Sequence, residues 1–167
     1  MRSLVSTVLP IASVWVRRQE KMILRKGAPL DDAQIADARR IGVVYPERVR
    51  TLVVKTIPPR LSRPIAALAA RLGLAPSSTI GMALGYGIFL RADFAASRAL
   101  LLHELAHTAQ YERLGFRPFL AQYLHECLAG GYPNGALERE AQRLATEVVH
   151  RSPVNSCDKT AGRAARD

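Results

Sequence analysis

The chain has 167 residues, of which 49% are hydrophobic, enough for one domain with a buried core and too many for wholesale disorder. Its formal net charge of +10 is concentrated in the front half, between Arg2 and Lys26 and between Arg39 and Arg63. Only two cysteines are present, Cys127 and Cys157, which excludes a disulfide framework. Neither lies in a cysteine metal motif, and we interpret Cys127 as a small core residue.

The basic front half could favour nucleic acid or an anionic membrane as a partner. However, it lacks aromatic residues placed to stack on bases, and it carries no sequence signature of a nucleic-acid-binding module. We therefore interpret this region as arginine-rich solvated surface, with nucleic-acid binding as the less favoured alternative.

Residues 1–26 need a check for targeting or membrane insertion, because Leu4 to Val16 form an apolar run. The run is shorter than the roughly 20 residues that span a bilayer, and Pro10 interrupts it. Arg17 and Arg18 follow at once, without a small-x-small cleavage pattern. The sequence predicts an N-terminal helix packed on the domain, with peripheral membrane contact or export as alternatives. No transmembrane span is expected, and the predicted location is cytoplasmic.

The rest of the front half predicts short helices and a small β element. We expect a helix from Asp31 to Ile41 that stops at Gly42, a strand from Val49 to Ile57, a helix from Ile65 to Leu72 closed by Gly73, and two short strands or one bulged strand between Thr79 and Leu90.

The back half predicts three helices followed by a tail. These helices run from Ser97 to about Leu114, from Pro118 to Leu128, and from a cap at Asn134 to about His150. Residues 151–167 are polar with little to bury, so we expect a disordered tail. The predicted fold class is α+β, with a single domain at 1–150 in which a strand and an edge hairpin precede a mainly helical half.

One segment indicates a chemistry: residues 103–107 read His-Glu-Leu-Ala-His, an HExxH motif in a helix rich in alanine and leucine. His103 and His107 would lie one turn apart on the same face, where both can bind one zinc ion at about 2.0–2.1 Å. Glu104 could then act on a metal-bound water. Apolar residues surround most of this helix, so burying these polar groups is costly without a metal. The alternative is two histidines bonded to ordinary core groups, with Glu104 reaching solvent.

A catalytic zinc needs a third protein ligand and an open position. The remaining histidines are poor candidates, because His125 could approach but His150 borders the tail. The last helix offers two carboxylates. Glu138 projects within the apolar face of that helix, whereas Glu140 projects toward its polar side. We predict Glu138 as the third ligand, and Glu140 remains the alternative.

These residues resemble the gluzincin class of HExxH zinc metallopeptidases, because HELAH is followed, 31 residues after His107, by an E-x-x-A element at Glu138 to Ala141. The chain is similar to minimal bacterial zincin-like domains of this class, including those of contractile injection-system proteins. The resemblance begins near Gly81, continues through HELAHTAQ and covers about half of the chain.

The resemblance implies a Zn²⁺-dependent site with His103, His107 and Glu138 as ligands. Glu104 would be the general base, which takes a proton from water and passes it to the leaving amine. In such enzymes the substrate usually lies along an edge strand before the motif helix, and Thr79 to Leu90 occupies the matching place.

The sequence departs from the gluzincin pattern at one position. Many gluzincins carry an aspartate after the E-x-x-[AS] element, where it orients a ligand histidine, and this chain has Gln142 there. No single residue stands out as transition-state stabiliser. The candidates are Tyr132, His125, Tyr123 and Arg143, and ordinary packing or surface hydrogen bonding is the simpler explanation for each.

The leading interpretation is a zinc metallopeptidase-like hydrolase that acts on peptides or proteins through a metal-activated water. The alternative is a non-catalytic, zinc-binding zincin-like module whose basic half binds a partner or nucleic acid. Glu104 favours the first, because a structural zinc needs no general base. The charge also suggests proteolysis associated with DNA or RNA, which steeply salt-dependent binding would support.

Overall fold

A computed structural model describes residues 2–57, 79–130 and 134–151 of the chain, and the fold in these ranges is α+β, as predicted. The helices are α1 (Arg2–Lys26), α2 (Asp32–Ile41), α3 (Arg98–Leu114), α4 (Phe116–Gly130) and α5 (Ala136–Arg151), and the strands are β1 (Ala28–Pro29), β2 (Arg50–Val54), β3 (Gly81–Leu84) and β4 (Gly87–Arg91). The helix predicted from Ile65 to Leu72 lies outside the described residues. So does the tail predicted at 151–167, except for Arg151, which is the last residue of α5.

The four strands form one mixed sheet in the order β1-β2-β4-β3, so β3 is an edge strand. β2 and β4 pair in parallel, whereas β3 and β4 form an antiparallel hairpin. Of the two forms expected between Thr79 and Leu90, the hairpin is therefore correct. Gly85 has φ 68° in its turn, a conformation that glycine adopts without a steric penalty. β2 ends at Val54, earlier than predicted, because its partner β4 ends opposite at Arg91.

Successive side chains of β4 pack in two different core clusters, one on each face of the sheet. Ile88 and Leu90 pack in the cluster formed with α2, α3 and α5, whereas Phe89 packs in the cluster formed with α1 and α4. Successive strand residues point to opposite faces of a sheet, so α1 and α3 lie on opposite faces. The HExxH helix is thus held on one face of the sheet.

The predicted N-terminal helix is present as α1, and its inner face packs on the sheet and on α4. Ile23 is fully buried and lies against Gly87, where a Cβ atom would sit 2.9 Å from the Ile23 side chain. Glu20 turns toward the hairpin and accepts a hydrogen bond from the Tyr86 main-chain N–H at 3.1 Å. None of the described helices is both long and apolar enough to cross a membrane.

Helices α2 and α3 begin and end close to the predicted residues because their caps are local. Asp31 and Gln34 form a capping box at the start of α2, and Gly42 ends it with φ 105°. The Ser97 hydroxyl accepts from the Leu100 N–H at the start of α3, and Gly115 follows its last residue.

Helix α4 begins at Phe116, two residues before the predicted start at Pro118. Pro118 therefore lies in the first turn, where a helix has no acceptor for a main-chain N–H and proline is tolerated. Only Gly115, with φ 83°, separates α3 from α4.

The start of α5 corrects the prediction that Asn134 caps it. The helix begins at Ala136, and the Leu137 N–H donates at 2.9 Å to the carboxylate of Glu126 on α4. At Gly135 a Cβ atom would lie 2.5 Å from the same carboxylate. An anionic group suits the positive end of a helix dipole, so α4 supplies the cap that positions α5.

Candidate metal centre

Two helices bring the predicted ligands together. His103 and His107 lie one turn apart on α3, and Glu138 enters from the first turn of α5. The two Nε2 atoms are 3.2 Å apart, and the Glu138 carboxylate straddles them, with Oε2 3.3 Å from His103 Nε2 and Oε1 3.5 Å from His107 Nε2. The structure thus brings these three residues together.

These separations match a small tetrahedral metal ion. Two ligands of zinc with bonds of about 2.0–2.1 Å and tetrahedral angles are roughly 3.3–3.4 Å apart. One ligand atom from each of the three residues lies within 4.8 Å of the others, which makes His103, His107 and Glu138 a group that could hold a metal ion.

Burial and the neighbouring histidines shift the pKa of Glu138 in opposite directions. The residue is 6% exposed. Burial disfavours the ionised carboxylate, but hydrogen bonds with His103 and His107 and the charge on His107 lower the pKa of Glu138 to about 2. The carboxylate is therefore ionised at neutral pH, as a metal ligand must be. Burial alone would lower the pKa of His107, but hydrogen bonding with Glu138 and the charge of Glu104 raise it.

Gln110 determines which nitrogen of His107 faces the cluster. Its Nε2 donates to the Leu137 carbonyl at 2.8 Å and to the Glu140 carboxylate at 2.9 Å. Its Oε1 is therefore the atom 2.9 Å from His107 Nδ1, so Nδ1 carries a proton and donates it to Gln110. In the neutral imidazole, Nε2 is then the nitrogen whose lone pair can bind a metal, and in the charged form the same nitrogen donates to Glu138.

Glu140 lies outside the cluster and supports it. Its carboxylate makes two hydrogen bonds of 2.8 Å with the Arg113 guanidinium and accepts the one from Gln110. The hydrogen bond from Arg113 lowers the pKa of Glu140, and burial opposes this. Glu138, and not Glu140, is therefore the carboxylate that lies beside the two histidines. Gln142, at the position expected to orient a histidine, instead donates to Thr146 on exposed surface.

Two stripes of side chains on α4 pack against different parts of the protein. Phe116, Leu120, Leu124 and Leu128 recur every four residues and pack in the core cluster shared with α1. Phe119 and Tyr123 form the second stripe, and both rings pack against the His107 imidazole with centroids 6.4 and 6.0 Å away. The Tyr123 hydroxyl donates to Glu138 Oε1 at 2.9 Å.

The other proposed donors do not reach the cluster within the described residues. His125 is exposed on α4, and Arg143 pairs with Glu147 at 2.6 Å on the exposed side of α5. Tyr132 and Cys157 lie outside the described residues. Cys127 is buried as predicted, and burial raises the pKa of its thiol to about 11.

Glu104 lies between the histidine face of α3 and the edge strand, and it is only 4% exposed. A Cβ atom on Gly81 would lie 2.3 Å from Glu104 Oε1, so glycine at this position leaves space for the carboxylate. The Ala83 main-chain N–H donates a hydrogen bond to Glu104. Burial raises the pKa of Glu104, and the charges of His107 and His103 act in the opposite direction.

The edge strand presents main-chain groups beside Glu104. Arg91 N–H donates to the Ile80 carbonyl at 2.9 Å, so residues 80, 82 and 84 form the hydrogen-bonded pairs with β4. Gly81 and Ala83 therefore direct their main-chain groups away from β4, toward the open edge. The donation from Ala83 to Glu104 agrees with this pattern.

Gln110 and Glu126 are the supporting residues that sequence reasoning missed. Gln110 is three residues after His107, so helical spacing could have identified it as a neighbour of the imidazole. No comparable signal marked Glu126, whose contact depends on how α4 and α5 pack. His103 Nδ1 is buried and has no hydrogen-bond partner among the described residues.

Comparison with known proteins gave no match: no protein-family model fits the chain, and no curated protein or solved structure is significantly similar to it.

Proposed function

We propose that the protein is a zinc-dependent, metallopeptidase-like hydrolase of the gluzincin type that acts on peptides or proteins. The observation that carries the proposal is the triangle of His103, His107 and Glu138, whose ligand atoms are 3.2 to 3.5 Å apart. A buried Glu104 adjoins this triangle but does not belong to it.

The donor set supports zinc. Two imidazoles and one carboxylate are a common combination for catalytic zinc, whose fourth position is left for water or substrate. When bound, zinc polarises a carbonyl and makes water a stronger acid. Hard cations such as Mg²⁺ and Ca²⁺ favour oxygen ligands and are less suited to two imidazoles.

The chain's own residues would divide the work of hydrolysis. Glu104 would accept a proton from the attacking water and deliver it to the leaving amine. The Ala83 N–H would hold its carboxylate in place, while Gln110 and Tyr123 would orient His107 and Glu138. Among the predicted donors that the structure describes, Tyr123 has its hydroxyl at the cluster, and its single proton is donated to Glu138.

An extended peptide is the substrate that the edge strand would suit. The main-chain groups of Gly81 and Ala83 point away from β4 and could pair with a peptide added beside β3. Such a peptide would pass close to Glu104. This placement supports a peptide or protein substrate over a small molecule, for which no specific polar recognition group is evident in the described residues.

The second candidate is a non-catalytic zinc module. A structural zinc is usually enclosed by four protein ligands, and the described residues supply three. A structural zinc would also give Glu104 no chemical role, although burying its carboxylate costs free energy. Both points favour the hydrolase.

The first experiment is to measure zinc per chain in the wild type, Glu138→Ala and the matched control Glu140→Ala. The proposal expects one zinc per chain in the wild type and in Glu140→Ala, and little in Glu138→Ala. A wild-type protein that takes up no zinc after reconstitution would overturn the proposal. Equal zinc in all three proteins would show that Glu138 is not a ligand. A peptide-library screen of the zinc-loaded protein then separates the hydrolase from the structural module.

A further inference from the structure

Helix α1 presents a second, outer face that none of the described elements covers. Its inner face buries Val16 and Ile23 against the sheet and α4. On the outer face, side chains recur at alternating spacings of three and four residues, which places them on one stripe of a helix: Thr7, Ile11, Val14, Arg18, Lys21 and Arg25. Ile11 is 69% exposed and Val14 is 52% exposed, the first of these being the most exposed large apolar side chain in the described chain.

The charges on this face have one sign. Glu20 is the only acidic residue of α1, and it is turned inward, where its carboxylate accepts from the Tyr86 N–H. Arg17 lies over the Phe116 ring with its guanidinium carbon 4.2 Å from the centroid. Arg18, Lys21 and Arg25 are exposed, and within the described ranges no acidic side chain forms an ion pair with them.

We propose that the outer face of α1 binds an anionic lipid surface. Exposed apolar side chains beside a cluster of basic ones are typical of helices that lie in the plane of a bilayer interface. Ile11 and Val14 could enter the boundary between headgroups and acyl chains, while Arg18, Lys21 and Arg25 contact lipid phosphates. A nucleic acid would use the basic residues but would leave Ile11 and Val14 exposed, so the apolar part of the face favours lipid.

Binding in this orientation leaves the candidate metal centre accessible. α1 and α3 lie on opposite faces of the sheet, as the separate core clusters of Phe89 and of Ile88 and Leu90 show. A membrane against the outer face of α1 would therefore not cover the histidines of α3. The inference does not depend on zinc or on hydrolysis.

The experiment is co-sedimentation of the full chain with vesicles of phosphatidylcholine alone and of phosphatidylcholine with phosphatidylglycerol. We expect binding to the anionic vesicles only, and weaker binding at high salt. Arg18→Glu/Lys21→Glu should reduce the partition constant by about thirty-fold or more, since each basic residue near an anionic surface contributes roughly a factor of five. Ile11→Ser/Val14→Ser should reduce it as well, because apolar burial is lost.

Two matched control variants test whether vesicle binding uses the outer face of α1 or only the overall charge and hydrophobicity of the protein. Arg39→Glu/Lys55→Glu changes the charge equally at exposed residues outside α1, and Val44→Ser/Val53→Ser removes exposed apolar side chains elsewhere. Both should bind like the wild type. Equal losses in the α1 and control variants, at unchanged melting temperature, would overturn the proposal. The absence of vesicle binding would also overturn the proposal. This holds whether or not the chain binds duplex DNA in a salt-sensitive way that Arg18→Glu/Lys21→Glu abolishes.

Discussion

Helix α3 contacts two nearly buried carboxylates whose surroundings differ. At its first residue, Arg98 holds Asp37 of α2 with two hydrogen bonds of 2.7 and 2.9 Å, and Arg40 adds a third at 3.1 Å. One or two turns later, Glu138 of α5 meets two imidazoles and a tyrosine hydroxyl. Both carboxylates are 6% exposed.

The two clusters differ in how their charge is balanced. Asp37 faces permanent cations, so its charge is compensated by the protein at any pH where it is ionised. Glu138 faces imidazoles, which are neutral when they act as metal ligands, and Glu104 adds a second buried carboxylate nearby. Burial of a carboxylate alone therefore does not indicate a metal site. At Glu138, unlike Asp37, lone pairs of two imidazoles converge without a permanent cation, and these three residues form a group that could hold a metal ion.

The largest expected effect concerns Glu104, which belongs to the Glu138 region but is not a proposed ligand. Glu104→Gln should reduce hydrolysis of a peptide substrate by about 10²–10⁴-fold, because proton transfer by a positioned base contributes that much. Zinc content should not change. The control is Glu147→Gln on the exposed side of α5. Unchanged turnover, or zinc lost together with turnover, would show that Glu104 is not the base.

The next largest effect is expected from removal of the metal, because only the Glu138 cluster, and not the Asp37 cluster, should depend on it for stability. If zinc is present at about a thousand times its dissociation constant, a chelator should destabilise the wild type by about 4 kcal/mol. Thermal melting with and without chelator should show this drop in the wild type and in Asp37→Asn. His107→Ala should melt at the same temperature in both conditions. A chelator-sensitive His107→Ala protein would place the metal elsewhere.

A smaller effect is expected at Gln110, the residue that orients His107. Gln110→Leu should weaken zinc binding by about 10–100-fold, the usual effect of removing a partner that orients a metal ligand. Gln142→Leu is the matched control and should bind zinc normally, because its side chain bonds Thr146. Nitrogen NMR gives an independent readout, in which Nδ1 of His107 should be protonated whether the imidazole is neutral or charged. Equal zinc affinity in both variants would contradict the orienting role.

The smallest effect is expected at Asp37, where the protein balances its own charge. Asp37→Asn should lower the free energy of unfolding by about 1–2 kcal/mol at neutral pH, since hydrogen bonds to a charged group are lost. Hydrogen bonding with Arg98 holds the pKa of Asp37 below its usual value, against the effect of burial. Ionised Asp37 therefore stabilises the fold above the unfolded value of about 3.9, and this contribution disappears as pH falls through the lower folded-state pKa.

Denaturant unfolding between pH 7 and pH 2 measures that contribution. The difference in stability between wild type and Asp37→Asn should be constant near neutrality and should shrink in acid. Asp93→Asn is the control, because Asp93 pairs with Arg91 on the surface and such pairs contribute little. A difference that persists at pH 2 would mean that Asp37 acts through packing and not through its charge.

Local sequence signals determined much of this protein. The helical spacing of His103 and His107, the cap at Ser97 and the stop at Gly115 depend only on neighbours in the chain, so α3 and its histidine face could be predicted. The choice of Glu138 over Glu140 also followed from periodicity, because the apolar face of α5 had to be buried. The α+β class followed from the same patterns.

Only the tertiary structure decided how these parts meet. The cap on α5 comes from Glu126 of another helix, so Asn134 was the wrong choice although its residue type was suitable. Gln110, and not Gln142, orients His107, because the direction of a side chain amide depends on the Leu137 carbonyl and the Glu140 carboxylate that surround it. Sequence spacing places residues on a helix face, but which groups complete their hydrogen bonds is determined by packing between elements far apart in the chain.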